Sequence, residues 1–491
     1  MRRSGILLHI TSLPSPGGVG TLGKEAFEFI DWLKEAGMGI WQVLPVGPTG
    51  YGDSPYQSTC THAGNLMMIN LRNLYETGLL SRHPEELLPA KSVYSEEMRR
   101  KKISVLRLSF SEHYADLKDK IDLFFESHEG LKDFVLFRAV KDYFDNRPWN
   151  QWPDLSIRFR DENAIKHYEH ILKEEIAFYK YTEYLFFHQW SELKEYANNK
   201  GIQLLGDMPI YVAEDSSDTW ANPEIFQLDA DRRPIKVAGV PPDYFSEDGQ
   251  LWGNPLYNWK ALKKTGFDWW IKRLKTASEL YDIVRIDHFI GLANYYAVKA
   301  GAPNARSGRW EKAPGFCFFR AVNRNLPELE IVAEDLGVVS KRVKRLLRYT
   351  GLPGMKVMQF GFDSDETNPH FILNIGEHCV LYTGTHDNDT INGWWESLDE
   401  KTREFARKYL PERSTIGKSM IEAALGSMAQ TVIIPAQDVL DLGSEARMNT
   451  PGTVGGRNWK WRLAPGQLTD QHALALRDMN TFFGRNTEVT K

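Results

Sequence analysis

The sequence predicts an α/β fold: a (β/α)8 TIM barrel with a large, mostly helical insertion and long loops over its C-terminal face. Two observations predict it. Eight short apolar runs have the length of buried strands, and helical patterns separate most of them. Eight strands that alternate with helices close into a barrel more naturally than they form an open sheet. The predicted strands are residues 5–10, 39–46, 201–207, 281–287, 329–334, 355–360, 378–383 and 430–435.

The first strand-helix-strand unit shows this alternation at the start of the chain. Residues 24–36 place Phe27, Ile30 and Leu33 on one helical face, and this helix lies between the first two strands. Such a unit predicts a parallel pair of strands with a right-handed crossover.

Breaks in the alternation predict insertions within a single catalytic barrel that spans residues 1–491. Residues 50–198 contain charged, helical stretches without strand alternation, so we expect a helical subdomain there. Residues 208–280, after the third strand, are expected to add loops and a helix. The helical stretches are 95–108, 131–143, 171–196, 259–280, 318–326 and 341–350. Residues 485–491 are expected to fray.

The composition argues against several classes of protein. The 491 residues are 42% hydrophobic and 25% charged, as in ordinary globular proteins, and the net charge of -5 provides no basic field for nucleic acid. The sequence contains no apolar run of the ~18 residues that a membrane span needs, and the stretch 5–8 is too short for a signal peptide. Cys60, Cys317 and Cys379 show neither disulfide nor zinc spacing. We therefore expect a cytoplasmic protein without a metal or other cofactor, which binds neither nucleic acid nor membrane.

Three acidic residues at the ends of apolar runs form the strongest functional pattern. Asp287 ends the fourth predicted strand, Glu334 ends the fifth, and Asp387 follows the seventh, at spacings of 47 and 53 residues. Acids at the ends of parallel strands meet at one rim of a barrel. Two carboxylates that face one bond are the minimum for retaining glycoside chemistry, and a third can stabilise developing positive charge. The alternative is that the acids cap helices that follow the strands.

Other polar residues are close to these acids in sequence. Arg285 shares a strand face with Asp287, and we expect it to lower the pKa of the aspartate and keep it ionised. His288 and His386 each adjoin an acid and could donate to sugar hydroxyls as neutral imidazoles. Asp207 ends the third strand, where it could orient Arg285. Each of these also has a plain structural interpretation, as an ion pair, a satisfied histidine or a turn residue.

Three loops combine rings with amides. Tyr56 lies within residues 51–58, Trp252 within 252–257 and Asn458 within 457–462. Rings can cover the apolar face of a sugar, and amides can bind its hydroxyls. Taken singly, each loop is more easily explained by loop packing.

Taken together, these segments closely resemble the 4-α-glucanotransferases, also called amylomaltases or disproportionating enzymes, a branch of the α-amylase superfamily. The resemblance runs from residue 4 to about residue 462. The matching segments are residues 4–14, 41–45, 54–56, 206–212, 285–289, 308–310, 333–337, 386–389 and 447–452. It implies a retaining enzyme that transfers segments of α-1,4-glucan to the 4-hydroxyl of an acceptor glucan or glucose.

The resemblance also implies residue roles. Asp287 falls on the nucleophile, Glu334 on the acid/base and Asp387 on the transition-state stabiliser. The positions implied to contact or support substrate are Tyr56, Asp207, Trp252, Arg285, His288, His386 and Asn458. Ile290 and Leu292 depart from the Arg and Phe that are frequent in the family, which affects local packing. The chain carries no N-terminal extension of the kind found in longer relatives, so we expect the compact form.

The expected partners are α-1,4-glucans and malto-oligosaccharides, with the protein as a monomer or weak homodimer. The nearest alternative is an α-1,4-glucan hydrolase on the same scaffold. A metal-dependent barrel lyase or isomerase would use the three acids as ligands and needs a catalytic Lys or His at another strand end. A non-catalytic glucan-binding protein is the third alternative.

Overall fold

The computed structural model describes residues 2–88, 95–242 and 247–485. It contains two sheets. The strands are β1 (Arg3–Leu7), β2 (Ile40–Gln42), β3 (Gln203–Pro209), β4 (Lys236–Val240), β5 (Gln250–Pro255), β6 (Ile283–Asp287), β7 (Asn294–Lys299), β8 (Arg309–Lys312), β9 (Glu330–Ala333), β10 (Gly354–Val357), β11 (Cys379–Tyr382) and β12 (Thr431–Pro435).

Helices surround and interrupt these strands. They are α1 (Lys24–Glu35), α2 (Leu71–Glu76), α3 (Pro84–Leu87), α4 (Glu96–Ser127), α5 (Glu129–Tyr143), α6 (Leu155–Arg158), α7 (Glu162–Ile171), α8 (Lys173–Asn199), α9 (Ser217–Ala221), α10 (Trp259–Lys264), α11 (Asp268–Leu280), α12 (Gly315–Asn325), α13 (Lys341–Thr350), α14 (Ile391–Ser397), α15 (Glu400–Arg407), α16 (Ile416–Gly426), α17 (Ala436–Val439) and α18 (Asp470–Phe482).

The eight predicted strands are present and form one parallel barrel. Their order is β10-β11-β12-β1-β2-β3-β6-β9, and every pairing within it is parallel. The ring closes where the Ala333 N–H donates to the Pro353 carbonyl oxygen at 2.9 Å. The fold is therefore the predicted (β/α)8 barrel, with its hydrophobic strands buried on both faces.

The barrel wall is packed on both of its faces. One face of the strands contributes a cluster that includes Leu7, Leu205 and Ile433. The other face packs against the helices in a larger cluster, to which α1 contributes Ile30 and Leu33. This arrangement holds the strands rigidly, so side chains at their carboxyl ends have fixed positions.

Between β2 and β3 the described residues form seven helices, as the lack of strand alternation predicts. Residues 95–108 and 171–196 are parts of the long helices α4 and α8, which pack against each other and against α5. The stretch 131–143 lies within α5.

The second sheet is a correction to the prediction for residues 208–280. Instead of loops and a helix alone, this region contributes β4 and β5 to an antiparallel sheet of order β5-β4-β7-β8. The single helix predicted over 259–280 is divided into α10 and α11, because Gly266 and Phe267 both adopt a φ of +66°. A left-handed pair of residues cannot continue an α-helix.

The expected fraying of 485–491 is wrong for its first residue, and residues 486–491 lie outside the described part of the chain. Arg485 is fully buried at the amino-terminal end of the barrel. Its guanidinium donates to the carbonyl oxygens of Leu425, Ser427 and Ala429 at 2.6, 3.0 and 2.8 Å. This arginine therefore ties the chain terminus to the loop before β12.

Candidate active site

Asp287 and Glu334 lie at the carboxyl ends of two neighbouring barrel strands. β6 pairs with β9 in a register that places Ile286 opposite Ala333, so the next residue of each chain segment is one of the two acids. The Glu334 N–H donates to Ile286 O at 3.1 Å, and the Phe289 N–H donates to Glu334 O at 2.9 Å. The sequence-predicted pair is thus brought together at one rim.

Glu334 is held by two backbone N–H groups. His288 N–H donates to Oε2 at 2.6 Å, and Leu336 N–H donates to Oε1 at 2.8 Å. His288 turns its N–H toward the acid by adopting a left-handed φ of +53°. Burial raises the pKa of Glu334 to about 7, while Arg285 and the two N–H groups oppose that rise. The carboxyl group is therefore able to exchange a proton near neutral pH.

Arg285 connects two aspartates. Its Nη1 lies 2.6 and 2.5 Å from the two carboxylate oxygens of Asp207, and 3.1 Å from Oδ1 of Asp287. Burial opposes the arginine's charge, but the two aspartates outweigh it and raise the pKa of Arg285. Asp207 therefore lies where it orients the arginine that contacts Asp287.

The expected lowering of the Asp287 pKa is wrong. Burial raises the pKa of Asp287, and Asp207 and Glu334 add to the rise, although Arg285 acts in the opposite direction. The physical reason is that burial disfavours the charged carboxylate more than Arg285, which Asp207 also contacts, favours it. The clustered carboxyls consequently titrate together, and their protons belong to the group.

Three rings cover one side of this cluster. Tyr56 donates its hydroxyl to Asp207 Oδ2 at 2.6 Å and stacks on His386, with ring centroids 4.9 Å apart. Trp459 contacts both rings at 5.8 and 5.9 Å. Burial lowers the pKa of His386, so the imidazole is neutral near pH 7. Trp459 was not singled out from the sequence, although it follows Asn458 and lies in an aromatic loop.

On another side, Trp252 packs edge-on against His288 with ring centroids 4.8 Å apart. Burial lowers the pKa of His288 to about 4, which keeps this ring neutral as well. Among the described residues, none forms a hydrogen bond with its buried Nε2. Both predicted histidines are thus uncharged rings beside the acids.

Asp387 follows β11 on a loop, and its side chain is 46% exposed. Its Oδ1 accepts from Asn449 Nδ2 at 2.7 Å and lies 3.3 Å from His386 Nε2. The Arg447 guanidinium donates to the Asp387 carbonyl oxygen at 2.6 Å. Asn449 and Arg447 lie in a segment that matched the family, yet no pattern in the sequence indicated their contacts.

Asn458 is placed differently from the other predicted substrate contacts. Its Oδ1 accepts from Thr450 N–H at 3.1 Å, and its Nδ2 donates to Thr453 O and Oγ1 at 3.1 and 2.9 Å. The amide is therefore engaged within its own loop.

The alternative that the three acids cap the helices after their strands is wrong. None of the three acids caps a described helix; Ser340 caps α13 and Thr390 caps α14. Ile290 and Leu292 are buried in the turn after Asp287. The barrel and its adjacent carboxyls define an enzyme of glycoside chemistry.

Comparison with known proteins identifies the family. A family model described as 4-alpha-glucanotransferase matches residues 8–469. The 4-alpha-glucanotransferase of Thermus thermophilus is 46% identical over 492 residues, which cover 97% of this chain and 98% of the relative. That of Streptococcus pneumoniae strain TIGR4 is 42% identical, with coverage of 99% and 98%. An amylomaltase from Streptococcus agalactiae in complex with acarbose matches with a TM-score of 0.96 at 40% identity, covering 99% of this chain and 100% of that one.

The chain therefore belongs to the 4-alpha-glucanotransferase family. Its activity is 4-α-glucan transfer, and the hydrolase alternative is not favoured. Within the described part of the chain, no helix combines the length and the apolar character needed to cross a membrane.

Proposed function

We propose that Asp287 is the nucleophile, Glu334 the acid/base and Asp387 the transition-state stabiliser of this transfer reaction. The observation that carries the proposal is the pairing of two acids in different surroundings. Asp287 contacts a guanidinium, whereas burial raises the pKa of Glu334 to about 7. We assign the proton that these coupled carboxyls share to Glu334, because Arg285 contacts Asp287 directly and favours its charged form.

The reaction begins with a donor α-1,4-glucan bound across the rim. A carboxylate oxygen of Asp287 attacks the anomeric carbon, and Glu334 gives its proton to the departing glycosidic oxygen. The product of this step is a glycosyl ester on Asp287 and a shortened glucan. In the second step, Glu334 takes the proton from an acceptor 4-hydroxyl, whose oxygen attacks the anomeric carbon, displaces the Asp287 carboxylate and restores the α configuration.

The remaining residues are proposed to hold the sugars. Tyr56 offers a ring face, and the neutral rings His288 and His386 offer nitrogen atoms to hydroxyls. Asp207 and Arg285 support the nucleophile, while Trp252 borders the acceptor side. Asn458, whose amide is engaged in its loop, is proposed to act by shaping the loop below Trp459.

Transfer requires that a sugar hydroxyl outcompetes water for the glycosyl ester. Two loops approach each other beside the site: a Cβ on Gly52 would lie 3.0 Å from Val454 Cγ1. Together with Tyr56 and Trp459, they offer a surface on which an acceptor sugar can be held. A positioned hydroxyl has a far higher effective concentration than a free one.

Incubation with maltotriose tests the reaction. Transfer produces free glucose together with maltotetraose and longer oligomers, whereas hydrolysis produces only glucose and maltose. Asp287→Asn is the control for contaminating enzymes. A product mixture without oligomers longer than maltotriose would contradict the proposal.

We further propose that the chain is one catalytic barrel, with residues 50–198 and 208–280 as insertions, and that it works in the cytoplasm as a monomer or weak homodimer on malto-oligosaccharides. Cys60 and Cys379 are buried free thiols, which suits a reducing compartment. Sedimentation velocity over a hundredfold range of protein concentration tests the oligomeric state; a stable tetramer would contradict it.

A further inference from the structure

The loop between β11 and α14, residues 384–390, carries His386 and Asp387. A small pocket lies against it. The lining includes loop residues Thr385, His386, Asn388 and Asp389. Asp387, Asn388 and Asp389 are only half-buried, so packing contributes less to their positions than it does for buried residues.

Hydrogen bonds hold the two ends of the loop. Asp438, a buried residue of α17, accepts from Thr383 Oγ1 at 2.9 Å and from the Ile391 N–H at 2.8 Å. These two partners flank the loop in sequence. One carboxyl group therefore fastens both ends to the barrel strand that precedes α17.

The middle of the loop is held through its backbone by the segment that contains Arg447 and Asn449. Arg447 donates to Asp387 O, and the Asn449 N–H donates to His386 O at 3.1 Å. The Arg447 Nε also donates to Asn449 O at 2.8 Å, which fixes the asparagine itself. The backbone of the loop is therefore held by hydrogen bonds that do not involve the Asn449 side chain.

The Asn449 side chain instead contacts the Asp387 carboxylate. Its Nδ2 lies 2.7 Å from Oδ1, the same oxygen that faces His386 Nε2 at 3.3 Å. No described residue forms a hydrogen bond with Oδ2. A carboxylate that is about half exposed would otherwise rotate among several orientations, since water can solvate each of them.

We propose that Asn449 is a positioning residue for Asp387: its amide donates to Oδ1 and so leaves Oδ2 presented to a hydroxyl of the donor sugar. This inference rests on the proposed role of Asp387 in stabilising the transition state. Preorganised groups stabilise a transition state without reorganisation at the moment of reaction, so loss of the orientation lowers kcat more than it weakens substrate binding.

The test compares Asn449→Ala with the isosteric Asn449→Asp, which keeps the shape but has no N–H to donate. We expect kcat for maltotriose disproportionation to fall by about 10- to 100-fold in both variants, with KM changed by less than about threefold. Thermal unfolding should stay close to that of the wild type, because the backbone bonds of residue 449 remain. Asn325→Ala is the matched control: this exposed asparagine on α12 donates to Ala321 O.

A double-mutant cycle with Asp387→Asn separates this inference from the proposed function. If Asn449 acts through Asp387, Asn449→Ala costs less than about twofold in the Asp387→Asn background. A glucosyl fluoride donor, whose leaving group needs no proton, keeps these slow variants measurable. Full activity of Asp387→Asn would overturn the role of Asp387. A slow Asp387→Asn with a fully active Asn449→Asp, or with additive losses, would overturn the positioning role alone.

Discussion

The two ends of the barrel both bury an arginine, and they treat its charge in opposite ways. At the carboxyl end, Arg285 contacts Asp207 and Asp287, and these partners raise its pKa. At the amino end, Arg485 contacts only carbonyl oxygens among its hydrogen-bond partners in the described chain, and burial lowers its pKa to about 9. The first arginine orients ionisable side chains, whereas the second donates hydrogen bonds to backbone carbonyl oxygens.

This difference predicts where substitutions act. Charges at the carboxyl end are clustered and mutually coupled, so their removal should affect turnover more than folding. Interactions at the amino end connect distant parts of the chain, and their removal should affect folding alone. The opposition of function and stability at the two ends of a barrel follows from the position of its active site.

The largest expected effect is at Asp287. Asp287→Asn should lower kcat by roughly 10³-fold or more, because it removes the covalent step. The unfolding temperature should not fall, since the pKa of this acid is raised on folding and its charged form is therefore not stabilised by the fold. Initial rates with maltotriose and a thermal melt at pH 7 test both statements. Near-normal turnover, or a collapse of the fold, would remove the contrast between the two ends.

The next effect is at Glu334. In the wild type, kcat/KM should fall as the pH rises through about 7, because the protonated acid is then lost. Glu334→Gln should lower the rate by roughly 10²- to 10³-fold and abolish that alkaline limb. A glucosyl fluoride donor should restore the first step, since fluoride leaves without a proton. Retention of the wild-type limb in the variant would exclude Glu334 as the acid.

At the amino end, Arg485→Ala should lower the free energy of unfolding by about 3 kcal/mol, because several buried carbonyl oxygens lose their donor. The kcat of the folded fraction should be unchanged. Urea unfolding measures the loss. Arg477→Ala is the matched control: this arginine of α18 pairs with Glu35 at the surface and should cost well under 1 kcal/mol. Equal losses for the two variants would contradict the proposed tie.

The smallest effect concerns Glu183 of α8, a buried acid that is distant in sequence from the three acids of the site. Its Oε2 accepts from Gly64 N–H at 2.9 Å, and burial raises its pKa from 4.5 to about 8. The folded state binds this proton more tightly than the unfolded chain does. The contribution of Glu183 to the free energy of unfolding is therefore fully present below pH 4.5 and is lost as the pH rises through 8.

Glu183→Gln, whose amide oxygen can accept the same N–H, should remove this pH dependence. The variant should gain about 2 kcal/mol on the wild type between pH 6 and pH 9. Urea unfolding at a series of pH values measures the gain. Glu174→Gln, on the exposed side of the same helix, should show none. Parallel stability curves for Glu183→Gln and the wild type would show that the acid does not titrate in this range.

The barrel could be predicted because its strands are nearly continuous apolar runs with acids at their ends. β4 and β5 were missed because each contains a glycine and a polar or charged residue and is only partly buried, so neither is a continuous apolar run. The joining of Asp287 and Glu334 followed from topology, since parallel strands end on one side.

Other features of the site depend on distances that the sequence does not contain. The direction of the Asp287 pKa reversed because burial outweighs Arg285, and because Asp207, 80 residues away, lies close enough to add to the rise. Asn449 acts across the site on Asp387, and a loop asparagine carries no pattern. The burial of Arg485 could not be predicted, because its partners are backbone carbonyl oxygens. Every residue has one, so no sequence pattern identifies them.

Main-chain hydrogen bonds hold the segments that carry Asp287 and Glu334 next to each other. His288 directs its peptide N–H to Glu334, and the peptides on either side of the two acids bond to each other. The spacing between the proposed nucleophile and the proposed acid is thus determined by main-chain geometry. Mutations in the surrounding loops can alter which glucan lengths are accepted while the reacting pair keeps its separation, so new substrate preferences can arise without a loss of chemical competence.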